Sequence, residues 1–277
     1  MIRVAAIQMA SGSNISGNLL EAEKHISRAV ADGAELVLLP ENFGMIGAEP
    51  KDVVACREKP GEGPLQRFLA EQSSHHGIII GGGSIPLESD DARHYRNSML
   101  VYDRAGECIA RYDKIHLFDV SLPDQDESYH ESAVIQPGSR PLVVDVGIAK
   151  LGLAVCYDLR FPELFRLLID QGADIILIPS AFTAVTGKAH WHALLKARAI
   201  ENLSFVVASA QGGFHVNGRE TYGHSLILGP WGNVLDEIKS GSGYVIADLN
   251  LTQQKTLRKK FPVLSHRKFF VHAEKQQ

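Results

Sequence analysis

Residues 151–180, LGLAVCYDLRFPELFRLLIDQGADIILIPS, constrain the fold most, because they place a cysteine between a strand pattern and a helix pattern. Apolar residues at every second position predict a buried strand that ends at Cys156: Leu151, Leu153 and Val155. Pro162 suits the first turn of the helix that follows, and Gly172 suits its end. Open α/β sheets build their sites at the carboxyl ends of strands, so Cys156 is a candidate functional residue. The alternative is a small buried hydrophobe, since free cysteine is often buried.

A second segment repeats the helix-to-strand pattern. GAELVLLPE at 33–41 matches GADIILIPS at 172–180 almost position for position, which predicts that Glu41 and Ser180 occupy equivalent strand ends. A carboxylate at the end of so apolar a strand needs a partner, and Glu41 is therefore a candidate general base. Lys114 stands just beyond the second strand of a predicted hairpin, and its apolar neighbours predict the wall of a site: Ile115, Leu117 and Phe118.

Composition and charge narrow the classes of partner. With 277 residues, of which 45% are hydrophobic, the chain is long enough for one large or two ordinary domains, and since no linker separates two halves we predict a single domain over residues 1–277. A formal net charge of −4 and a pI near 6.3 disfavour nucleic acid and anionic membranes as partners. The amino-terminal residues lack a signal-peptide pattern and no run of eighteen apolar residues occurs, so we expect a cytoplasmic protein.

Metal and cofactor motifs are not evident in the sequence. The three cysteines are far apart without a CxxC pair, and Gly81–Gly83 lacks the GxGxxG spacing of a dinucleotide loop. His190 and His192 are two positions apart on a predicted helix over 189–202 and so face different directions. We therefore predict neither a metal nor a cofactor.

The element pattern predicts an α/β fold. Helix-strand units alternate with hairpins, such as 225–228 with 234–238, and two mixed sheets covered outside by helices are the simplest arrangement. In the helix over 189–202 we predict a buried stripe of four residues: Ala193, Leu194, Ala197 and Ile200. The polar, acidic residues 121–131 predict a loop over the site, closed by Glu131.

Three motifs in order resemble the nitrilase superfamily of carbon–nitrogen hydrolases: PEN at 40–42, DKIHLFD at 113–119 and LAVCYDLRFPEL at 153–164. The resemblance implies a catalytic triad of Glu41, Lys114 and Cys156, and a further glutamate at Glu131. It also implies a nitrilase-type αββα sandwich that dimerises into a four-layer αββα-αββα assembly, hence a homodimer. The expected partner is a small-molecule amide substrate.

The chemistry of the triad explains these residue types. A neighbouring ammonium lowers the pKa of a thiol, so we expect Lys114 to enrich the thiolate of Cys156, with Glu41 as general base and acid. Lys114 and the backbone N–H of Tyr157 are the expected oxyanion donors, and a thioester on Cys156 is the expected intermediate. Glu131 is expected to orient Lys114 or the leaving group, or alternatively to cap a loop.

Several strings are most similar to the Nit1 group, whose members hydrolyse deaminated glutathione to 2-oxoglutarate and cysteinylglycine: CYDLRFPE, TGKAHWHALLKARAIEN and YGHSLILGPWG. The neighbouring Nit2 group, ω-amidases acting on 2-oxoglutaramate, shares much of this pattern. Both substrates carry a 2-oxo-acid carboxylate, for which Arg160 is the predicted contact, together with Phe182 and Thr183. Alternatively, Arg160 pairs with an acid such as Glu163.

Two other functions remain open from the sequence. The first is a binding or scaffold subunit with a vestigial site, and the intact Glu41, Lys114 and Cys156 argue against it. The same thioester also permits acyl transfer to an amine, because the outcome depends only on which nucleophile reaches it.

Overall fold

A computed structural model describes residues 1–121 and 128–272. Two β-sheets stack face to face, and helices cover the outer face of each sheet. This layering confirms the predicted α/β fold with an αββα sandwich in the single chain. The dimer expected from the resemblance stays a prediction.

Among the described residues, the two sheets comprise seven and six strands. The first sheet contains β1 (Ile2–Gln8), β2 (Leu36–Leu38), β3 (Ile79–Gly81), β4 (Ile85–Glu88), β5 (Tyr95–Tyr102), β6 (Cys108–Asp113) and β17 (Gly243–Leu249). The second contains β9 (Leu142–Asp145), β10 (Lys150–Leu153), β11 (Ile175–Ser180), β12 (Phe205–Ala210), β15 (Ser225–Leu228) and β16 (Val234–Ile238). Two antiparallel pairs stand apart from them: β7 (Asp119–Ser121) with β8 (Ser128–His130), and β13 (Gly212–Phe214) with β14 (Glu220–Tyr222).

The helices are α1 (Ile15–Ala31), α2 (Pro50–Ala55), α3 (Pro64–His76), α4 (Pro162–Asp170), α5 (Ala184–Asn202) and α6 (Leu251–Lys260). Apolar residues of α1 and α3 pack against the first sheet, and those of α4 and α5 pack against the second. In the described ranges, no helix is both long enough and apolar enough to cross a membrane.

The centre of each sheet is parallel, and this places the site. β1, β2 and β3 run parallel in the first sheet, as do β10, β11 and β12 in the second. The chain segments after β2, β10 and β11 therefore leave their sheets at carboxyl ends, where α/β proteins place functional groups. The segments after these three strands carry Glu41, Cys156 and Ala181.

The buried face of α5 differs from the predicted stripe. Ile200 is 51% exposed, whereas the inward face carries Gly187, Trp191, Leu195, Arg198, Ala199 and Asn202. Two of these are polar, and Arg198 donates to the carbonyl of Leu159 from Nε at 3.0 Å. The prediction counted apolar residues only, so it was wrong about which side of α5 faces the core.

The loop predicted at 121–131 is also partly wrong. Ser121 and Ser128–His130 belong to the paired strands β7 and β8, and Glu131 begins a short 3₁₀ helix, Glu131–Ala133. Residues 122–127 lie outside the described residues.

Candidate active site

Cys156 lies at the bend expected from the sequence, between β10 and a 3₁₀ helix, Cys156–Arg160. Its φ of 49° is in the left-handed region, which a residue with a Cβ rarely adopts. Such a conformation persists only where the surroundings hold it. The side chain is nearly covered, with the residue 8% exposed.

Lys114 joins two carboxylates inside the protein. Its Nζ lies 3.0 Å from Glu41 Oε1 and 2.8 Å from Glu131 Oε2. Asn97 Nδ2 donates to the same Glu41 oxygen at 3.0 Å, and Glu131 Oε2 also accepts from the backbone N–H of Phe118 at 2.8 Å. The structure thus brings the predicted residues Glu41, Lys114 and Glu131 into one hydrogen-bonded group.

The charge on Lys114 is fixed by these neighbours. Burial alone would lower the pKa of Lys114, but Glu131 and Glu41 outweigh it and raise this pKa well above its usual value. Lys114 therefore remains an ammonium, and a positive charge is held beside the nucleophile without access to solvent.

The thiol of Cys156 behaves differently from the expectation. Burial and the charge of Glu41 raise the pKa of Cys156 well above its usual value, and the opposing effect of Lys114 is smaller. Lys114 therefore acts in the expected direction, but the expectation of a net thiolate enrichment is wrong, because it considered the ammonium and neither burial nor the carboxylate. The thiol is protonated and contacts Glu41, so a base stands next to its proton.

Asp158 braces the loop that carries Lys114 against the bend that carries Cys156. Its Oδ2 accepts from Val155 N–H at 2.8 Å and from the Tyr112 hydroxyl at 2.7 Å, and its Oδ1 accepts from His116 N–H at 3.0 Å. The residue is completely buried. One carboxylate therefore fixes residues from both sheets around the site.

Two backbone N–H groups are candidate donors at the site, one directly after β11 and one directly after Cys156 in the chain. The N–H of Ala181, just after β11, contacts Cys156, and that of Tyr157 is in the first turn of the 3₁₀ helix, where N–H groups have no acceptor within the helix. Both are suited to hold negative charge.

The predicted substrate contacts line the same inner cavity as Cys156: Arg160, Phe182 and Thr183. Arg160 forms no ion pair within residues 1–121 and 128–272, so its pairing with Glu163 is not seen. Its guanidinium instead bonds His190 Nδ1 at 3.1 Å and lies 5.2 Å from the Phe182 ring centroid. Thr183 Oγ1 caps α5 by accepting from the N–H of Thr186.

Comparison with known proteins decides the family. The carbon-nitrogen hydrolase profile matches residues 3–259. The chain belongs to the carbon–nitrogen hydrolase family. A deaminated glutathione amidase from Synechocystis sp. is 42% identical over 96% of this chain and 97% of its own length.

Solved structures agree with this family fold. Nit3 from Saccharomyces cerevisiae, a member of branch 10 of the nitrilase superfamily, aligns with a TM-score of 0.87 at 30% identity over 97% of both chains. A variant of the amidase from Nesterenkonia sp. AN1, with acrylamide added at its active-site cysteine, aligns with a TM-score of 0.75 at 26% identity over 95% of this chain and 98% of that one.

Sequence reasoning about this carbon–nitrogen hydrolase missed several site residues. Asn97 lies mid-strand in β5 and Asp158 follows the cysteine closely, but their partners are far away in sequence. Arg219 lies in the turn between β13 and β14 and also lines the cavity of Cys156. The sequence around it indicates a turn but not the cavity that the turn reaches.

Three further side chains of the hydrolase form a group with the spacing of metal ligands. Their ligand atoms lie within 4.8 Å of one another: His192, His224 and Glu237. Glu237 Oε1 lies 2.8 Å from His192 Nε2 and 2.7 Å from His224 Nδ1, so the carboxylate already has two hydrogen-bond partners. The sequence prediction considered His190 with His192 only and stays a prediction.

Proposed function

We propose that the protein is an amidase that hydrolyses deaminated glutathione to 2-oxoglutarate and cysteinylglycine through a cysteine thioester. The observation that carries the reaction class is the buried group of Glu41, Lys114 and Cys156. The name of the full-length relative from Synechocystis sp. supports the substrate.

In the proposed first half-reaction, Glu41 accepts the thiol proton as the Cys156 sulfur attacks the amide carbon. Charge develops on the carbonyl oxygen, where Lys114 and the N–H of Tyr157 stabilise it. The tetrahedral intermediate then collapses with cleavage of the C–N bond, while Glu41 returns the proton to the leaving nitrogen. The amine departs and the acyl group remains on sulfur as a thioester.

In the second half-reaction, a water molecule takes the place of the amine. Glu41 accepts a proton from this water as it attacks the thioester carbon, and the C–S bond breaks to release the acid and restore the thiol. Glu131 holds the same Lys114 ammonium as Glu41, at 2.8 Å. Its proposed role is to position that ammonium, because it contacts Lys114 rather than the sulfur.

The acyl group is proposed to bind against Arg160, Phe182 and Thr183. A 2-oxo-acid carboxylate suits a guanidinium that lines the inner cavity without a carboxylate partner among the described residues. Arg160→Ala is expected to lower kcat/KM for every 2-oxo-acid amide tested, since all of them keep this carboxylate.

The deciding experiment compares kcat/KM for deaminated glutathione and for 2-oxoglutaramate, with Cys156→Ala as the blank. Preference for the tripeptide and an acylated Cys156 in quenched samples are the expected results. Preference for 2-oxoglutaramate would contradict the proposed substrate in favour of an ω-amidase. Alkylation of Cys156 without turnover of either amide would favour the binding subunit instead.

A homodimer is proposed as well. Three large apolar side chains remain exposed near one another: Ile200 at 51%, Trp231 at 60% and Phe261 at 46%. The ring centroids of Trp231 and Phe261 are 5.3 Å apart, and exposed apolar side chains that lie together are typical of contact sites. Sedimentation of the wild type and of Trp231→Ser tests the homodimer, with dissociation expected for the variant.

Cytoplasmic location and the lack of a nucleic-acid partner stay predictions from the sequence.

A further inference from the structure

The cavity that contains Cys156, the inner cavity, borders a larger one, the outer cavity. The inner cavity leaves only about 20 Å³ of free volume, whereas the outer cavity has about 500 Å³, within the range of ligand pockets. Three residues line both cavities: Asn42, Glu131 and Arg219. A substrate of tripeptide size far exceeds the free volume of the inner cavity, so the part of it that does not contact Cys156 has to occupy the outer cavity.

Arg219 stands at this junction with unused hydrogen-bonding capacity. Its Nε is buried without a hydrogen-bond partner among the described residues, while one terminal nitrogen donates to the carbonyl of Ala181. Its guanidinium carbon lies 5.2 Å from the ring centroid of Tyr129. A guanidinium held in this way still has donors available for a carboxylate.

The turn that carries Arg219 is anchored to the body of the protein. His215 Nδ1 lies 2.9 Å from the carbonyl oxygen of Ser11, and its Nε2 lies 2.7 Å from the hydroxyl of Thr221. The His215 N–H also donates to the carbonyl of Arg219 at 2.9 Å. Arg219 is therefore presented from a fixed backbone, as a recognition residue requires.

The other charged side chains of the outer cavity are already engaged. Glu131 is paired with Lys114 at 2.8 Å, and Glu49 is paired with Lys51 at 2.6 Å. Among the described residues that line this cavity, Arg219 is the only arginine or lysine. No carboxylate in the described ranges pairs with it. The outer cavity consequently favours a ligand with an anionic end.

Asn42 adds an acceptor at the same junction. Its Oδ1 is buried without a partner among the described residues, and its φ of 55° fixes the backbone directly after Glu41. A leaving group with an N–H and a carboxylate would satisfy both unpartnered groups, because Asn42 accepts and Arg219 donates.

We propose that the outer cavity is the subsite for the leaving group and that Arg219 binds its terminal carboxylate. This inference rests on the proposed function and extends it to substrate selection. Deaminated glutathione has two carboxylates, one on the acyl part that stays on Cys156 and one on the departing cysteinylglycine. Arg160, which lines the inner cavity only, serves the first, and Arg219, at the junction, serves the second.

The test compares deaminated glutathione with its carboxyl-terminal amide, in the wild type and in Arg219→Met. A charge-assisted contact predicts that Arg219→Met lowers kcat/KM for the acid about 10- to 100-fold, mainly through KM. The amide should be a correspondingly poor substrate of the wild type and should lose roughly threefold or less in the variant. Arg219→Lys should recover part of the loss, since it restores the charge without the planar fork.

Arg140→Met is the matched control. Arg140 is exposed and lines neither cavity, so the same substitution and charge change should leave both substrates unaffected. Circular dichroism of all variants verifies the fold. An equal loss on the acid and on the amide in Arg219→Met would overturn the inference, as would wild-type protein that does not distinguish the two.

Calorimetry separates this inference from the proposed function. Cysteinylglycine and its amide are titrated into Cys156→Ala protein, which requires no turnover. Tighter binding of the acid that disappears in the Arg219→Met double variant supports the subsite even if deaminated glutathione is not hydrolysed. Equal binding of acid and amide contradicts the subsite even if deaminated glutathione proves to be the substrate.

Discussion

The inner and outer cavities differ in how far their polar groups are already paired. Behind the wall of the inner one, Lys114 is held by two carboxylates and Asp158 accepts from several donors, so these charged groups are fixed before any substrate arrives. In the outer one, the Nε of Arg219 and the Oδ1 of Asn42 have no partner among the described residues. The difference indicates that reactivity is built into the protein, whereas recognition is completed by the ligand.

The largest expected effect is in the inner cavity. Glu41→Gln removes the base, and we expect kcat to fall by about 10²- to 10⁴-fold. The same change should lower the pKa of the Cys156 thiol, because Glu41 raises it and Lys114 would then be less opposed. The pH dependence of iodoacetamide alkylation measures this shift. A slower enzyme with a more acidic thiol would show that proton transfer, and not thiol ionisation, limits the reaction.

Glu131→Gln provides the comparison for that variant. It is the same substitution on the other carboxylate at Lys114, but Glu131 does not contact the sulfur. We expect a smaller decrease in kcat and a pKa of Cys156 near that of the wild type. If the two variants behave alike, the distinction between base and positioning residue does not hold.

A smaller effect is expected for the brace. Asp158→Asn replaces an acceptor oxygen with a donor beside Val155, Tyr112 and His116, and we expect the free energy of unfolding to fall by about 2–4 kcal/mol. Urea unfolding measures the change. Asp145→Asn, at the exposed end of β9, is the control and should alter the free energy of unfolding by about 0.5 kcal/mol or less. Equal effects of the two variants would contradict the role of the brace.

The smallest effect concerns the outer cavity and pH. Burial lowers the pKa of His215 in the folded protein. The neutral imidazole therefore stabilises the fold at any pH above the pKa of about 6.5 that histidine has in the unfolded chain. This stabilisation is lost as the pH falls through the lower pKa of the folded protein. Protonation would end its acceptance from Thr221 and loosen the turn of Arg219. We expect the ratio of kcat/KM for deaminated glutathione to that for 2-oxoglutaramate to fall a few-fold toward about pH 5.

His215→Gln separates this histidine from the other histidine of the outer cavity, His130. Glutamine keeps a donor and an acceptor but does not titrate in this range. The substrate ratio should therefore become insensitive to pH in the variant. If the wild-type dependence persists in His215→Gln, another group is responsible for it.

The sequence predicted what local patterns encode. The hairpin of 225–228 with 234–238 follows from periodicity and turn residues, and its observed bounds agree. Glu41, Lys114 and Cys156 stood out because each polar side chain interrupts or ends an apolar run. The structure brings them together, and their catalytic roles stay proposals.

Long-range partners and net electrostatics were not predictable in the same way. Asp158 and His116 are 42 residues apart, and nothing in either local pattern indicates that they meet. The thiol of Cys156 was expected to be acidic because its lysine was visible in the sequence and its burial was not. In α5, Arg198 and Asn202 face inward because they find hydrogen-bond partners there, a backbone carbonyl for Arg198 and a guanidinium for Asn202. A pattern of apolar residues contains no information about such polar partners.

The brace of Asp158 has a consequence for how the molecule folds. It joins Tyr112 of the first sheet to the bend after β10 of the second, so its contacts form only when the two sheets dock. Before docking, each sheet holds an incomplete set of reacting groups, and contacts of large sequence separation form late. In refolding from urea, catalytic activity should therefore return after the far-ultraviolet signal of the strands and helices. The return of catalytic activity thus reports the docking of the two sheets, and an active chain is one in which this docking is complete.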